Sequence, residues 1–365
     1  MHSFRLKKLQ ARLRNPILIK KKENLLYLTD RSFMNGYLLV PPQSAKGQGL
    51  RIKAVFFGDG LEKVEGIHSN VLKNIGIYLL RYRQLEIEDV LSFAEYKYLR
   101  LKINDKRLKI KPIRSPVDEL RQVKDTSEIS KIRKSMQIVQ AVFAKARKEI
   151  KKPGITEVKL ARYIASLGLK SGAEDVSFPA IVASGQNAAV PHHVPTNKKI
   201  RAGESVIIDF GFKYQGYCSD FTRTVFLKKV GSRKLETAYN QVEKAYIESI
   251  RCIDGALQGL PLKSAIRGAV AGDVYQKAAD ILAEKKLDKY FIHSLGHGTG
   301  LEIHELPNLS PGSNSVLKDG MVFSIEPGVY MPKTGGIRIE DLVYLEKGKA
   351  EKFVKVSTQL KDNIL

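Results

Sequence analysis

Residues 206–222 read VIIDFGFKYQGYCSDFT. β-Branched and aromatic residues flank two aspartates, Asp209 and Asp220, and Gln215-Gly216 lies near the midpoint. Val, Ile, Phe and Tyr suit a pleated, half-buried surface, and a Gly-containing pair suits a tight turn, so the stretch predicts a β-hairpin. In that hairpin the two aspartates face each other across the ladder, with Cβ atoms about 5 Å apart. Carboxylates that close repel unless a proton or a cation lies between them. The plainer alternative has Asp209 ending a strand and Asp220 facing solvent.

On the N-terminal side, DTSEISKIRKSMQIVQAVFAKARKEI (125–150) carries Ile129, Ile132, Met136, Val139 and Phe143 at spacings of three and four. That period gives one apolar helix face. Asp125 is the expected N-cap, with Glu128 as its reciprocal partner. Pro153-Gly154 stops this helix and Thr156 caps the next, EVKLARYIASLGLKSG (157–172), before the strand-like SFPAIVASG (177–185). The same order recurs beyond the hairpin. Helical KLETAYNQVEKAYIESI (234–250) and AGDVYQKAADILAEKK (271–286) precede β-like MVFSIEPGVY (321–330) and GIRIEDLVYLE (336–346). The expectation is two α-then-β halves, near 117–230 and 233–346. Upstream, LLYLTD (25–30), YLLVPP (37–42) and IKAVFFGDG (52–60) read as strands. With NVLKNIGIYLL (70–80) and VLSFAEYKYLRLKI (90–103) they suggest a small α/β domain, and Pro112 and Pro116 bracket a linker after it.

Composition narrows the function classes. The 365 residues, 43% hydrophobic, suffice for two globular domains. No run approaches the roughly 20 apolar residues of a membrane span. The basic N-terminus lacks a contiguous apolar core and a small-residue cleavage site, so no signal peptide is expected. Two cysteines, Cys218 and Cys252, exclude a disulfide framework and suit a reducing cytoplasm. Net charge is +24, and residues 1–116 alone hold 24 basic against 10 acidic side chains. Such a field holds nucleic acid only weakly and salt-sensitively. No motif that reads a base accompanies it, so no specific nucleic-acid partner is expected.

HSLGHGTGLEIHELP (293–307) holds three of the seven histidines in a glycine-rich segment. It is not a phosphate loop, because no Gly-Lys-Ser/Thr follows, and the helix-borne HExxH pattern is absent. Glu326 follows the apolar VFSI, and Glu340 sits in GIRIED. Either glutamate alone reads as an edge-strand residue, although a charge beside VFSI is costly to bury without a partner. Two aspartates, two glutamates and His297 together form an oxygen-rich set suited to two divalent ions rather than one tetrahedral zinc. Two ions about 3.5 to 4 Å apart can share a water and make it nucleophilic near neutral pH. His2 and His68 read as structural, and the Pro-flanked His192 and His193 stay open.

The ordered motifs SFPAIVASGQNAAVPHH (177–193), DFGFKYQGYCSDFTRT (209–224), HSLGHGTGLEIHELP, SIEPGVY (324–330) and GIRIED (336–341) carry a resemblance. The chain resembles the Xaa-Pro peptidases of the pita-bread metallopeptidase fold, prolidase and aminopeptidase P. NLLYLTD (24–30) and FGDG (57–60) are more weakly similar to their creatinase-like N-terminal domain. The resemblance implies an α/β (α+β) architecture. A creatinase-like domain spans 1–116, and a pita-bread catalytic domain with pseudo-twofold α-β halves spans 117–365. It implies Asp209, Asp220, His297, Glu326 and Glu340 as ligands of two divalent ions, manganese or cobalt. Glu326 would also manage the proton of the attacking hydroxide, and His304 would stabilise the oxyanion. His192 and His293 would contact substrate and leaving group, while Arg338 and Tyr330 line the proline side. His193 is left as structural.

The implied partner is a peptide with proline at its second position, and the implied state a cytoplasmic homodimer. TRTVFLKKV (222–230) departs from the family by lacking a glycine after its strand. RCIDGALQGLPLKSAIRGAV (251–270) is a longer link than usual. A methionine-type or general aminopeptidase would share the ligands but normally lacks an N-terminal domain and the GIRIED arginine. A non-enzymatic pita-bread binding module usually loses several ligands.

Overall fold

A computed structural model describes residues 2–31, 36–43, 54–58, 67–79, 82–103, 105–257 and 268–365. The chain divides into two compact units, Met1–Arg121 and Gln122–Leu365. Among the described residues no helix is long and apolar enough to cross a membrane.

In unit 1 the strands β1 (Ile17–Ile19), β2 (Tyr37–Val40), β3 (Val55–Gly58), β4 (His68–Val71), β5 (Gln84–Glu88) and β6 (Lys109–Ile113) form one sheet, ordered β4-β3-β2-β1-β5-β6. Helices α1 (His2–Gln10), α2 (Lys22–Thr29), α3 (Ile75–Leu79), α4 (Phe93–Ile103) and α5 (Pro116–Leu120) complete it. The strand expected at LLYLTD is instead the body of α2. Its Leu and Tyr lack the β-branching that stiffens a strand. Leu25, Leu28 and Thr29 are buried at helical spacing, and Asp30 ends the turn in the left-handed region, φ 56°. Pro112 and Pro116 do not bracket a linker. Pro112 lies in β6, an edge strand that tolerates a missing N–H. Pro116 opens α5 behind the N-cap Ser115, whose Oγ accepts the Val117 N–H. Of FGDG, Phe57 and Gly58 end β3, and Asp59 and Gly60 lie outside the described residues. Positions 258–267 of the long link also lie outside them.

Unit 2 follows the α-then-β order twice. Helices α6 (Thr126–Glu149) and α7 (Glu157–Lys170) precede β7 (Asp175–Val176), β8 (Ile181–Ser184), β9 (Ser205–Asp209), β10 (Phe212–Tyr214), β11 (Tyr217–Cys218) and β12 (Phe221–Phe226). Helices α8 (Arg233–Leu257) and α9 (Ala271–Ala283) precede β13 (Gly296–Gly298), β14 (Glu305–Leu309), β15 (Val322–Ile325), β16 (Gly328–Met331), β17 (Gly335–Arg338), β18 (Glu340–Glu346) and β19 (Lys349–Lys352). Asp125 and Glu128 exchange the hydrogen bonds of a capping box, and Thr156 caps α7. All five residues of the expected apolar stripe on α6 are buried.

The main sheet runs β14-β13-β15-β18-β12-β9-β8, with β19 on β18. The halves therefore meet where β12 pairs β18. Each half also inserts a short hairpin between two main-sheet strands: β10–β11 between β9 and β12, and β16–β17 between β15 and β18. Gln215 and Gly216 turn the first of these with φ of 47° and 78°. Positive φ at both central residues matches the right-handed twist of the flanking strands.

Candidate active site

The hairpin forms, but its register differs from the expectation. Asp209 ends β9 opposite Thr222, not opposite Asp220. On the other side of β12, Thr222 stands opposite Glu340, the first residue of β18. Asp209, Thr222 and Glu340 thus form one row across three strands, and Asp220, two residues before Thr222, lies on the same face. Glu326 follows the last ladder pair of β15 with β18, Ile325↔Asp341. So Asp209 and Glu326 each follow or end a strand that leads into the inserted hairpin. Asp220 and Glu340 each open the strand that returns from it. The repeated architecture brings four acids to the seam between the halves.

His297 sits in the middle of β13, its N–H donated to Ser324 Oγ at 3.0 Å; that hydroxyl donates to Glu326 Oε1 at 3.2 Å. The flanking glycines allow this close approach: a Cβ on Gly296 would lie 1.9 Å from the Ser324 carbonyl oxygen. All five residues line one cavity of about 570 Å3, together with His192, His293, His304, Tyr330 and Arg338. Every residue singled out for the site from sequence therefore reaches the same cavity.

The electrostatics are those of crowded anions. Burial, then repulsion from Glu340, Asp209 and Glu326, pushes the Asp220 carboxyl well above its ordinary range. Burial, then Glu326 and Asp209, does the same to Glu340. Burial outweighs the attraction of Arg338 and lifts Glu326 to about 8. Asp209 Oδ2 accepts from Arg338 Nη2, and Glu340 Oε2 accepts from Thr222 Oγ1 at 2.6 Å. Their second oxygens, Asp209 Oδ1 and Glu340 Oε1, are buried without a hydrogen-bond partner.

Burial, then the nearby His304, holds His297 down at about 4, so its ring is neutral at neutral pH. His297 Nδ1 lies 3.1 Å from the Gly298 carbonyl, which can only accept, so Nδ1 carries the proton. The Nε2 lone pair then faces Asp220 Oδ2 at 3.5 Å and Glu326 Oε1 at 3.4 Å. One donor atom each of Asp220, His297 and Glu340 fall within 4.8 Å of one another. Acceptors facing acceptors, with two orphaned carboxylate oxygens beside them, make a donor set that fits a divalent cation.

Beside the acids runs a chain of committed hydrogen bonds. His293 Nδ1 donates to the Ser294 carbonyl at 2.7 Å, which leaves Nε2 to accept from Tyr330 Oη at 2.9 Å. Burial, then Arg338, lowers His293 to about 4, in keeping with that neutral form. Arg338 Nη1 donates to Tyr330 Oη at 2.7 Å and its Nε to Thr222 Oγ1 at 3.2 Å. The guanidinium is thus buried and held through each of its three nitrogens. His304 stands edge-on to His297, ring centroids 4.3 Å apart. Its loop is pinned by Glu305, which accepts the Glu302 N–H at 3.0 Å and pairs with Lys124 at 3.3 Å.

Several contributors escaped the sequence reading. Thr222 was findable, since it lies two residues from Asp220 and so shares its strand face. Arg223, adjacent to it, is fully buried against Asp341. Glu157 gave no signal, because an acid in the first turn of a helix is ordinary dipole complementation. In the fold its carboxylate accepts from Ser184, Asn187, His193 and Thr196. Burial alone would raise its pKa, but hydrogen bonds from His193, Ser184 and Thr196 outweigh that and hold it at about 2. The carboxylate protonates near 4.5 when unfolded, so its contribution is complete above that value and is lost as pH falls toward 2. The stability difference between the natural chain and Glu157→Gln is therefore expected to shrink as urea unfolding is repeated from about pH 5 down to about pH 3. An equal difference across that range would contradict the assignment.

Residues 130–347 match metallopeptidase family M24. Relatives from Mycoplasma genitalium and Mycoplasma pneumoniae are 40% identical over 233 residues, 64% of this chain, and the chain spans 62% of their length. An Xaa-Pro dipeptidase of Pyrococcus horikoshii is 34% identical over 347 residues, 94% of this chain and 93% of that protein. Among solved structures, an Xaa-Pro dipeptidase from Bacillus anthracis is similar at a TM-score of 0.86 and 28% identity, covering 99% of each chain. Motif order, paired α-β halves and family match agree: the chain belongs to metallopeptidase family M24, with its pita-bread fold.

Proposed function

We propose that this chain is a metal-dependent exopeptidase that hydrolyses the Xaa-Pro bond at the N-terminus of peptides or in dipeptides. The observation that supports it most is the convergence, in one cavity, of a five-residue donor set with the His293–Tyr330–Arg338 chain beside it. Asp209, Asp220, His297, Glu326 and Glu340 would hold two divalent ions, manganese or cobalt. When bound, such ions supply a water of lowered pKa and polarise the carbonyl before proline.

The protein's own groups do the rest. Glu326 Oε1, steadied by Ser324, takes and returns the proton of the attacking water. The His304 imidazole donates a hydrogen bond to the developing oxyanion. His192 contacts substrate and the departing nitrogen, and His293 meets substrate through its ring while its two nitrogens stay with Ser294 and Tyr330. Arg338 fixes Tyr330 and Asp209 and lines the cavity on the proline side. The wall of Phe178, Pro179, Ile181, Pro191, Val194 and Pro195 offers an apolar surface that suits a ring. A peptide bond before proline has no N–H. The site must therefore recognise ring shape and orient the carbonyl, and a wall with Tyr330 at its base suits that task.

Matched Ala-Pro and Ala-Ala substrates, as dipeptides and as tripeptides, test the reading on metal-reconstituted protein. The expected preference for proline is at least roughly tenfold in kcat/KM, about 1.4 kcal/mol and within what ring shape in an apolar pocket supplies, and Arg338→Ala reduces it. Equal cleavage would make the chain a general aminopeptidase. Relative rates on the two lengths distinguish dipeptidase from aminopeptidase. A homodimeric state and a cytoplasmic location belong to the same proposal, the latter supported by the absence of a cysteine framework. Light scattering and cell fractionation check them.

A further inference from the structure

Glu157 opens α7, and its side chain is 0% exposed, yet it lines no part of the catalytic cavity. Its Oε1 accepts the Ser184 N–H and Oγ, both at 2.8 Å, and Asn187 Nδ2 at 3.0 Å. Its Oε2 accepts His193 Nε2 at 3.0 Å, the Thr196 N–H at 3.1 Å and Thr196 Oγ1 at 2.8 Å. These donors come from the start, middle and end of residues 184–196. That segment has no strand partner between the end of β8 and Thr196 and carries only a short 3-10 turn, Gly185–Ala189. It also carries Pro191, His192, Val194 and Pro195, one wall of the cavity. His192 and Val194 are exposed, so packing does little to hold them. One buried anion therefore ties the start, middle and end of this segment together.

We propose that Glu157, acting through His193, is a positioning residue that holds His192 in register with the scissile bond. This rests on the peptidase reading above. His193, left as structural from sequence, becomes the arm that transmits the hold, since it is bonded next to His192. The carboxylate form matters because both oxygens receive only donors. A glutamine of the same size would turn its amide N–H groups toward at least three of them. Misplacing a substrate-contacting group by about 1 Å costs up to about 100-fold in rate. Because Glu157 acts on the site through His192, its effect must disappear once His192 is gone.

The test is a mutant cycle on the metal-loaded full chain. Glu157→Gln is expected to lower kcat/KM on Ala-Pro at least about tenfold. The same change made in His192→Ala is expected to add nothing. His193→Ala should mimic it, and His193→Gln, whose terminal amide nitrogen reaches about as far as Nε2, should restore most of the rate. Additive losses in the double variant, or no rescue by His193→Gln, would overturn the proposal. If Glu157→Gln does not fold, the His193 pair crossed with His192→Ala decides alone. A second readout is independent of catalysis: the His192 ring carbon–proton NMR signal, identified by its loss in His192→Ala, in protein loaded with diamagnetic magnesium. It should shift or broaden in His193→Ala and recover in His193→Gln. An unmoved signal counts against positioning. A moved signal in a protein that cleaves no Xaa-Pro substrate sinks the peptidase reading and leaves the positioning standing.

Discussion

Asp220→Ala should leave a folded chain that no longer retains its full complement of divalent metal and cleaves Ala-Pro more than about 100-fold more slowly, beyond the usual cost of losing an outer-shell partner. Asp220 lies at the centre of the acid cluster, 5% exposed and 3.5 Å from His297 Nε2. Its strongest perturbers after burial are the other acids, Glu340, Asp209 and Glu326. Removing it takes away a donor and relieves repulsion together. The chelated variant should consequently melt at a higher temperature than the chelated natural chain. His304→Ala is the contrast: it should keep its metal and still lose roughly 100-fold in turnover, the scale of one oxyanion donor. Elemental analysis, melting curves and kinetics on both variants separate the roles. If His304→Ala loses metal while Asp220→Ala retains two ions, the roles are misassigned. Full activity in rigorously metal-free protein would sink the metallopeptidase mechanism.

Arg223→Ala should be the most destabilising single change near the site, at about 3 to 5 kcal/mol in urea unfolding, the cost of stripping one partner from a buried ion pair. Arg223 and Asp341 are both 0% exposed, with Nη2 2.8 and 2.9 Å from the two carboxylate oxygens. Nη1 also donates to the Thr222 and Glu340 carbonyls at 2.9 and 2.6 Å, and Tyr246 Oη donates to Asp341 Oδ2 at 2.6 Å. Alanine leaves the Asp341 carboxylate buried with no cation beside it. Replacing both partners, Arg223→Leu with Asp341→Leu, should recover much of the loss, since a paired apolar substitution removes the stranded charge. A cost below about 1 kcal/mol for Arg223→Ala would place the pair among weak surface bridges.

Much of this was legible before the fold. Helical spacing on α6, the caps at Asp125 and Thr156, and the Gln215-Gly216 turn are local signals, and local chemistry decided them. The donor set of four acids and His297 was legible because apolar-flanked acids beside scarce histidines are costly without a shared purpose, whereas His192, His293, His304, Tyr330 and Arg338 came only through the family resemblance. Register was not. A shift of two residues preserves the face of a strand while changing its cross-strand neighbour, so Asp209 meets Thr222 and the acids still share a surface. LLYLTD was misread because six residues are too few for periodicity to separate a short strand from a short helix. Glu157 was invisible for a different reason. Its partners at 184–196 are brought to it by tertiary folding, and no spacing along the chain encodes them.

The seam between β12 and β18 has one more consequence. Its ladder consists of Phe221↔Asp341 and Thr222↔Glu340, and the Thr222–Glu340 hydrogen bond spans 118 positions of chain. Asp209 and Asp220 belong to one half, and His297, Glu326 and Glu340 to the other. Expressed as two separate polypeptides, neither half would carry a complete donor set, and hydrolysis would return only on their reassociation. On the proposed activity, the repeated architecture makes the chain a natural template for a split reporter, in which peptide cleavage registers that two fused partners have met.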